Sequence, residues 1–306
     1  AVRASAAALI GGQQYERTAA LVDVSEHDSY LIDVFRVVGG REHAKFMHSH
    51  FGQITPQGLT LQPAEETAGG DQMRSWQKDA QPPPVWSVDW KVEDHLQYLP
   101  AGQDLHVRYT DVTSGCEVLT AEGWVAVGLY GGTAEAWIPR VVVRRRADQA
   151  PLASTFVSVI EPYEKQPLIT RIRRLELTTD DGQPCPDSDV AVEVRLADGR
   201  RDMLVAVDAE NPRGPARPPG TAVIQKETDI RLAGQFGWVR FDAAGKPQRV
   251  MLGMGKSLES GSLRVQRTTD TGWTEVDLQR PSMPVVSGSA EQVETIVDGA
   301  QKVWPK

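Results

Sequence analysis

The chain has 306 residues, a formal net charge of −8, 24% charged residues and 40% hydrophobic ones. Those proportions are those of a folded globular chain rather than a disordered one, and the acidic balance excludes a strongly basic nucleic-acid binder. No stretch of the sequence approaches the roughly 18 uninterrupted apolar residues that a membrane-spanning helix needs.

Residues 1–14 begin with a small, weakly apolar string, Ala1 to Gly12, without the charged and apolar regions of a signal peptide. They read as a leader remnant or a truncated N-terminal segment. The strand signal starts next. Arg17–Val24 and Tyr30–Val38 are β-branched and aromatic runs, separated by Ser25-Glu26-His27-Asp28-Ser29 and closed by Gly39-Gly40. Such runs with a short polar connection predict an antiparallel hairpin. Gln81-Pro82-Pro83-Pro84 is a stiff, extended link. Gln103–Thr110 alternates cleanly, with Leu105, Val107 and Tyr109 on one face.

Trp124–Leu129, Ala136–Arg144 and Thr155–Ile160 continue the pattern. So do Ile169–Leu177, Val190–Leu196, Asp202–Val207, Ile230–Leu232, Phe236–Phe241, Arg249–Met254 and Ser262–Gln266. Asp181-Gly182, Asp198-Gly199, Ala244-Gly245-Lys246 and Ser260-Gly261 supply the turns between them. The Pro-rich loop Asn211–Gly220 is barred from a central ladder, because proline has no amide proton to donate. In Ser289–Val303, the residues Val293, Ile296, Val297, Ala300 and Val303 keep helical spacing after a serine cap, which predicts a C-terminal helix.

Strands at this density predict an all-β fold of stacked antiparallel sheets, a β-supersandwich, with at most a short C-terminal helix. The organisation expected is a main sandwich over 15–150, a second smaller β layer over 151–280, and a tail over 281–306 that carries the helix. A boundary falls near Ala147–Pro151 or slightly later, near Glu161-Pro162-Tyr163.

Four of the six histidines, His27, His43, His48 and His50, lie close together in the sequence. If Lys45–Phe51 is a strand, His48 and His50 share a face with Cα atoms ~6.6 Å apart. That spacing suits two ligands of one metal, or a base and its neighbour. A zinc site would need a third donor, for which Asp33 and His43 are candidates, so no complete ligand set is assigned. A pair of exposed or hydrogen-bonded histidines at a sheet end is the bland reading. Trp76, Trp86 and Trp90, with Tyr98 and Tyr109, form an aromatic group suited either to stacking on sugar rings or to core packing. Arg140, Arg144, Arg145 and Arg146, with Arg171, Arg173 and Arg174, suit either acidic sugar carboxylates or a charged strand edge. The two cysteines, Cys116 and Cys185, are either thiols or a single disulfide. No HExxH, GxSxG, P-loop or dinucleotide-binding fingerprint is present.

Three strings together resemble a known family. Tyr15-Glu16-Arg17-Thr18, then Tyr30 through Gly39-Gly40-Arg41-Glu42-His43, then Phe46-Met47-His48-Ser49, are similar to the β-sheet part of heparinase II/III-like proteins. The resemblance spans most of residues 15–270. Weaker matches lie at Trp86 to Trp90, Ile138-Pro139-Arg140, Ser154 to Tyr163, and Gly234 to Asp242. It implies a bacterial, exported polysaccharide lyase, periplasmic or extracellular, with an N-terminal toroid of paired helices and a C-terminal set of stacked antiparallel sheets. The activity implied is β-elimination on an acidic, uronate-containing polysaccharide. A basic or amide-lined pocket neutralises the carboxylate, and a Tyr or His removes the C5 proton.

On this reading His43, His48 and His50 are the candidate catalytic residues. Arg36, Trp76, Trp86 and Trp90 are the candidate substrate-binding residues. The chain departs from the family pattern in two ways. The helical toroid is absent from it, and Phe51-Gly52 follows His48-Ser49-His50 where an aspartate would complete the family's metal-ligating strand. The partners expected are thus an acidic polysaccharide and a helical toroid outside this chain, with no nucleic acid and no membrane span. Two alternatives stand beside the lyase: a non-catalytic carbohydrate-binding β-sandwich module, and a structural β-sandwich of a bacterial surface assembly.

Overall fold

The computed structural model describes every residue except 67–69, 96, 128–133, 215–220, 280–284, 288–291, 298–299 and 306. The chain divides into two compact units, Ala1–Pro167 and Leu168–Lys306. Among the described residues there is no α-helix. Only single 3₁₀ turns occur, at Ala7–Ile10, Gly70–Gln72 and Lys226–Thr228.

The first unit is a sandwich of twelve strands: β1 Val2–Ser5, β2 Gln14–Asp23, β3 Ser29–Gly39, β4 Glu42–Met47, β5 Gly52–Gln57, β6 Gln62–Pro63, β7 Met73–Asp79, β8 Trp86–Val92, β9 Leu105–Asp111, β10 Glu117–Val127, β11 Ala134–Arg146 and β12 Leu152–Glu164. A seven-stranded sheet runs β1-β2-β3-β12-β9-β8-β5, and a five-stranded sheet runs β4-β11-β10-β7-β6. All pairings are antiparallel. The hairpin expected from the two first runs forms with Gln14 opposite Val38 and Asp23 opposite Ser29. Its turn is closed by Ser25, whose hydroxyl donates to Asp28 at 2.6 Å.

Alternation selects the core of this unit. Trp86, Val88 and Trp90 lie on one face of β8, and with Val37, Tyr109 and Phe156 they pack on Val118, Val141 and Val143 of the five-stranded sheet. Burial of each such side chain stabilises by about 1.5–3 kcal/mol. The same inner face carries a buried ion pair between the two sheets: Lys45 on β4 lies 2.6 Å from Asp33 on β3.

The second unit is one twelve-stranded antiparallel sheet. Its strands are β13 Ile169–Leu175, β14 Thr178–Thr179, β15 Val190–Leu196, β16 Arg201–Ala206, β17 Val223–Gln225, β18 Ile230–Phe241, β19 Pro247–Ser260, β20 Leu263–Arg267, β21 Trp273–Asp277, β22 Val285–Ser287, β23 Gln292–Val297 and β24 Ala300–Pro305. The long hairpin β18–β19 is its spine. One half of β18 pairs with β16 and the other with β17, while β19 pairs with β21 and then β20. The hairpin changes partners at Gly234 and Gly255, where a Cβ on Gly255 would lie 2.4 Å from the Gly234 Cα. Only paired glycines allow that approach. The curled sheet encloses Leu232, Val239, Val250, Leu252, Leu258 and Val265, all essentially inaccessible.

Three expectations are corrected here. The C-terminal helix over Ser289–Val303 is instead the hairpin β23–β24, with Val293 opposite Trp304 and Val297 opposite Ala300. Residues 289–291, 298 and 299 of that segment lie outside the described residues. Val293, Thr295 and Val297 also satisfy period two, and β20 presents a row of backbone groups that β23 completes. Second, Lys45–Phe51 is not a strand: β4 ends at Met47, and β5 begins at Gly52. Gly52 is required there, since a Cβ would meet the Lys91 carbonyl oxygen at 2.0 Å. Third, the division between units falls after Pro167, because β12 pairs with β3 and β9 and so completes the first sheet.

Candidate functional site

The predicted histidines do not converge. His43, on β4, is half-buried and fully engaged: Nε2 lies 2.9 Å from the Gly39 carbonyl oxygen and Nδ1 lies 2.8 Å from the Ser154 hydroxyl. A carbonyl only accepts, so Nε2 carries the proton and Nδ1 accepts from Ser154. Burial pushes the His43 pKa down, with Arg145 adding to it and the Gly39 hydrogen bond opposing. His48 and His50 are exposed in the connection between β4 and β5. His48 Nδ1 bonds the neighbouring Ser49 carbonyl at 3.0 Å, and His50 lies edge-on to Phe51, which stacks on His95. Among the described residues, no group of three His, Cys, Asp or Glu side chains is arranged to hold a metal.

The predicted substrate contacts are internal. Arg36 is 1% exposed and donates to the buried Glu16 at 2.7 Å. Trp86 and Trp90 are core residues, and Trp76 packs on Leu119, Ala121 and Val142 on the far side of the five-stranded sheet. None of these rings offers a face to a sugar. Four members of the basic run are ion-paired: Arg144 is held by Glu66 and Glu117, Arg146 by Glu42, Arg173 by Glu193 and Arg174 by Asp187. Cys116 and Cys185 form no disulfide, and burial pushes the Cys116 thiol up to about 12.

Two groupings went unread in the sequence. The first lies on the face of β9 opposite Leu105, Val107 and Tyr109. There Asp89 accepts from His106 Nδ1 at 2.5 Å, from the Tyr163 hydroxyl at 2.5 Å and from Arg108 at 3.3 Å. His106 stands directly opposite Tyr163 across the ladder, and their rings stack at 5.0 Å. Burial and the bond to Asp89 push the Tyr163 phenol up to about 12. It is thus a hydrogen-bond donor at neutral pH and no base. One carboxylate collects three donors, so the network is closed upon itself and acts to orient its members.

The second grouping faces solvent. Trp124 on β10 and Trp137 on β11 stand directly opposite each other, so both project from one face of the five-stranded sheet. Trp124 is 36% exposed. Glu122 lies on that same face two residues earlier. It accepts from Arg74 Nε at 2.9 Å and from the Ser75 hydroxyl at 3.0 Å. The Arg74 guanidinium sits 4.1 Å above the Trp137 ring. Indole surface bordered by a guanidinium, a carboxylate and a hydroxyl is chemistry suited to a pyranose: apolar C–H faces pack on the ring, and hydroxyls bond the polar rim. A signal existed for this pair. The tryptophans hold matching places in two runs joined by a short Gly-rich connection, which is how a hairpin sets residues opposite each other.

This geometry defines an all-β protein with a partly exposed tryptophan pair on a sandwich sheet. No protein-family model matches the chain, and no curated protein matches it.

Proposed function

We propose that this chain binds carbohydrate through the Trp124–Trp137 face of its first unit and breaks no bond by itself. The observation that carries the reading is the exposed Trp124 indole beside the half-buried Trp137, with Arg74 stacked on Trp137 and Glu122 on the same face, while Trp76, Trp86 and Trp90 are spent on packing. Glycan-array screening followed by titration of the best ligand tests it. Trp124→Ala is expected to weaken binding about tenfold or more, the loss of about 1.4 kcal/mol or more of stacking. Trp76→Phe is expected to leave binding unchanged. Equal binding by Trp124→Ala and the parent would dismiss this surface.

A fuller reading makes the chain the β-sheet portion of a heparinase II/III-like polysaccharide lyase. It acts on uronate polysaccharide by β-elimination when joined to a helical toroid, in the periplasm or outside a bacterial cell. It is favoured by the continuity of the resembling strings: Tyr15 to Met47 forms the consecutive strands β2, β3 and β4, with His43 pinned at the Gly39-Gly40 turn. The sugar-binding strip serves both readings. Ultraviolet absorbance of the unsaturated product separates them. The isolated chain is expected to yield none from any acidic polysaccharide, and restoring a helical portion is expected to produce it.

A further inference from the structure

In the second unit, β19 exchanges one neighbour for another. From Arg249 to Gly253 it pairs with β21, and from Ser257 to Ser260 it pairs with β20. Between them the ladder to β18 slips: Ala233 faces Ser257, but Gly234 faces Gly255. Lys256 is the extra residue of this bulge, and a bulge re-aims the side chain it carries. Beside it a cavity of about 320 Å3 opens, lined by Lys256, Ser257, Gln266, Arg267, Thr268 and Glu294. That volume is at the lower end of small-ligand clefts.

Arg267 is the unusual member. It ends β20 and is 6% exposed. Two of its nitrogens donate to the carbonyls of Thr271 and Gly272, which clip the turn after β20. Its Nε is buried without a hydrogen-bond partner. Among the described residues no carboxylate forms an ion pair with it, whereas the other deeply buried arginines, Arg36, Arg144 and Arg240, each hold one. Burial accordingly lowers the Arg267 pKa, against a partial offset from Asp270. A buried cation without a counter-ion is unfavourable unless an anion completes it. Glu294 is turned to another task, accepting from Gln301 at 2.7 Å.

We propose that this cavity is an oxyanion-binding site, with Arg267 and Lys256 supplying the charge and Ser257 and Gln266 supplying hydrogen bonds to a carboxylate or sulfate group. The site lies wholly in the second unit and is independent of the Trp124 strip in the first. Calorimetric titration of the full chain with sodium sulfate, sodium glucuronate and neutral methyl glucoside tests it. One saturable site is expected for sulfate, glucuronate or both, and none for the glucoside. Competition between the two anions tells a carboxylate site from one that prefers sulfate. Lys256→Ala is expected to weaken binding about fivefold, and Glu294→Gln to tighten it by about twofold, since a repelling charge is removed. Lys256 is exposed and Glu294 is not fully buried, so these variants report even if Arg267→Gln fails to fold. Absence of saturable anion binding, or affinities unmoved by both Lys256→Ala and Glu294→Gln, would overturn the proposal. Loss of glycan binding in Trp124→Ala with anion binding intact would leave it standing.

Discussion

Asp33 shows most directly how single residues hold this molecule together. It lies on the inner face of β3 beside Phe35 and Val37, an apolar setting, yet it is fully buried and ionised. Burial pushes its carboxyl up, but Lys45 and Arg17 outweigh that and hold it below the ordinary aspartate value. Because Lys45 belongs to the opposite sheet, the pair fixes one layer against the other. Lys45→Met should destabilise by about 3–5 kcal/mol, since it strands a buried carboxylate, and pairing it with Asp33→Val should recover most of that loss. Urea unfolding of the single and double variants measures both. The acid limb of stability follows from the same groups. His43 is depressed in the fold, so the unfolded chain binds the extra proton first, and stability falls as pH drops below about 6.5. Asp33 and Glu16 are depressed too, and their contribution is lost as pH falls below about 4, while the raised Asp111 opposes them. Unfolding midpoints followed from pH 8 to pH 3 should show two declines, and His43→Gln should remove the first. A histidine's residue type was legible in the sequence, but whether it faces solvent or a serine hydroxyl was not.

Elements follow from local pattern wherever period two and turn chemistry agree. Asp198-Gly199 closes β15 onto β16 with Gly199 at φ 86°, and Gly245 and Gly261 do the same for the next two hairpins. The pattern fails where two periods fit one string. Val293 to Val303 satisfies both a helical and an alternating spacing, and the open edge of β20 decides for the strand. The partner exchange along β18–β19 is likewise invisible locally, because each strand reads as one long run. Its test is Gly255→Ala. The added Cβ would meet the facing backbone and Ala233 carbonyl oxygen, with no flexible side chain to give way. A loss of about 1–3 kcal/mol is expected, read as a lowered denaturant midpoint at unchanged slope.

At the scale of the whole molecule there are two β units, in which both cysteines are free and no group of three His, Cys, Asp or Glu side chains among the described residues is arranged to hold a metal. Hydrophobic burial and paired charges must then carry stability. A chelator and a reductant should therefore leave the thermal midpoint unchanged within error, and a fall of several degrees with either would reveal a staple that this donor arrangement does not provide. The sequence by itself determined the all-β class, most strands and nearly every tight turn, because these rest on side-chain alternation and backbone conformations that neighbours impose. Only the tertiary structure decided which aromatics became core and which became surface. Trp90 and Trp124 are chemically alike, and Trp124 even shares the side-chain parity of the core residue Val118; what separates them is whether other strands cover the sheet at the point along the strand where each ring stands. That coverage depends on strand order across distant segments, a property no local spacing encodes.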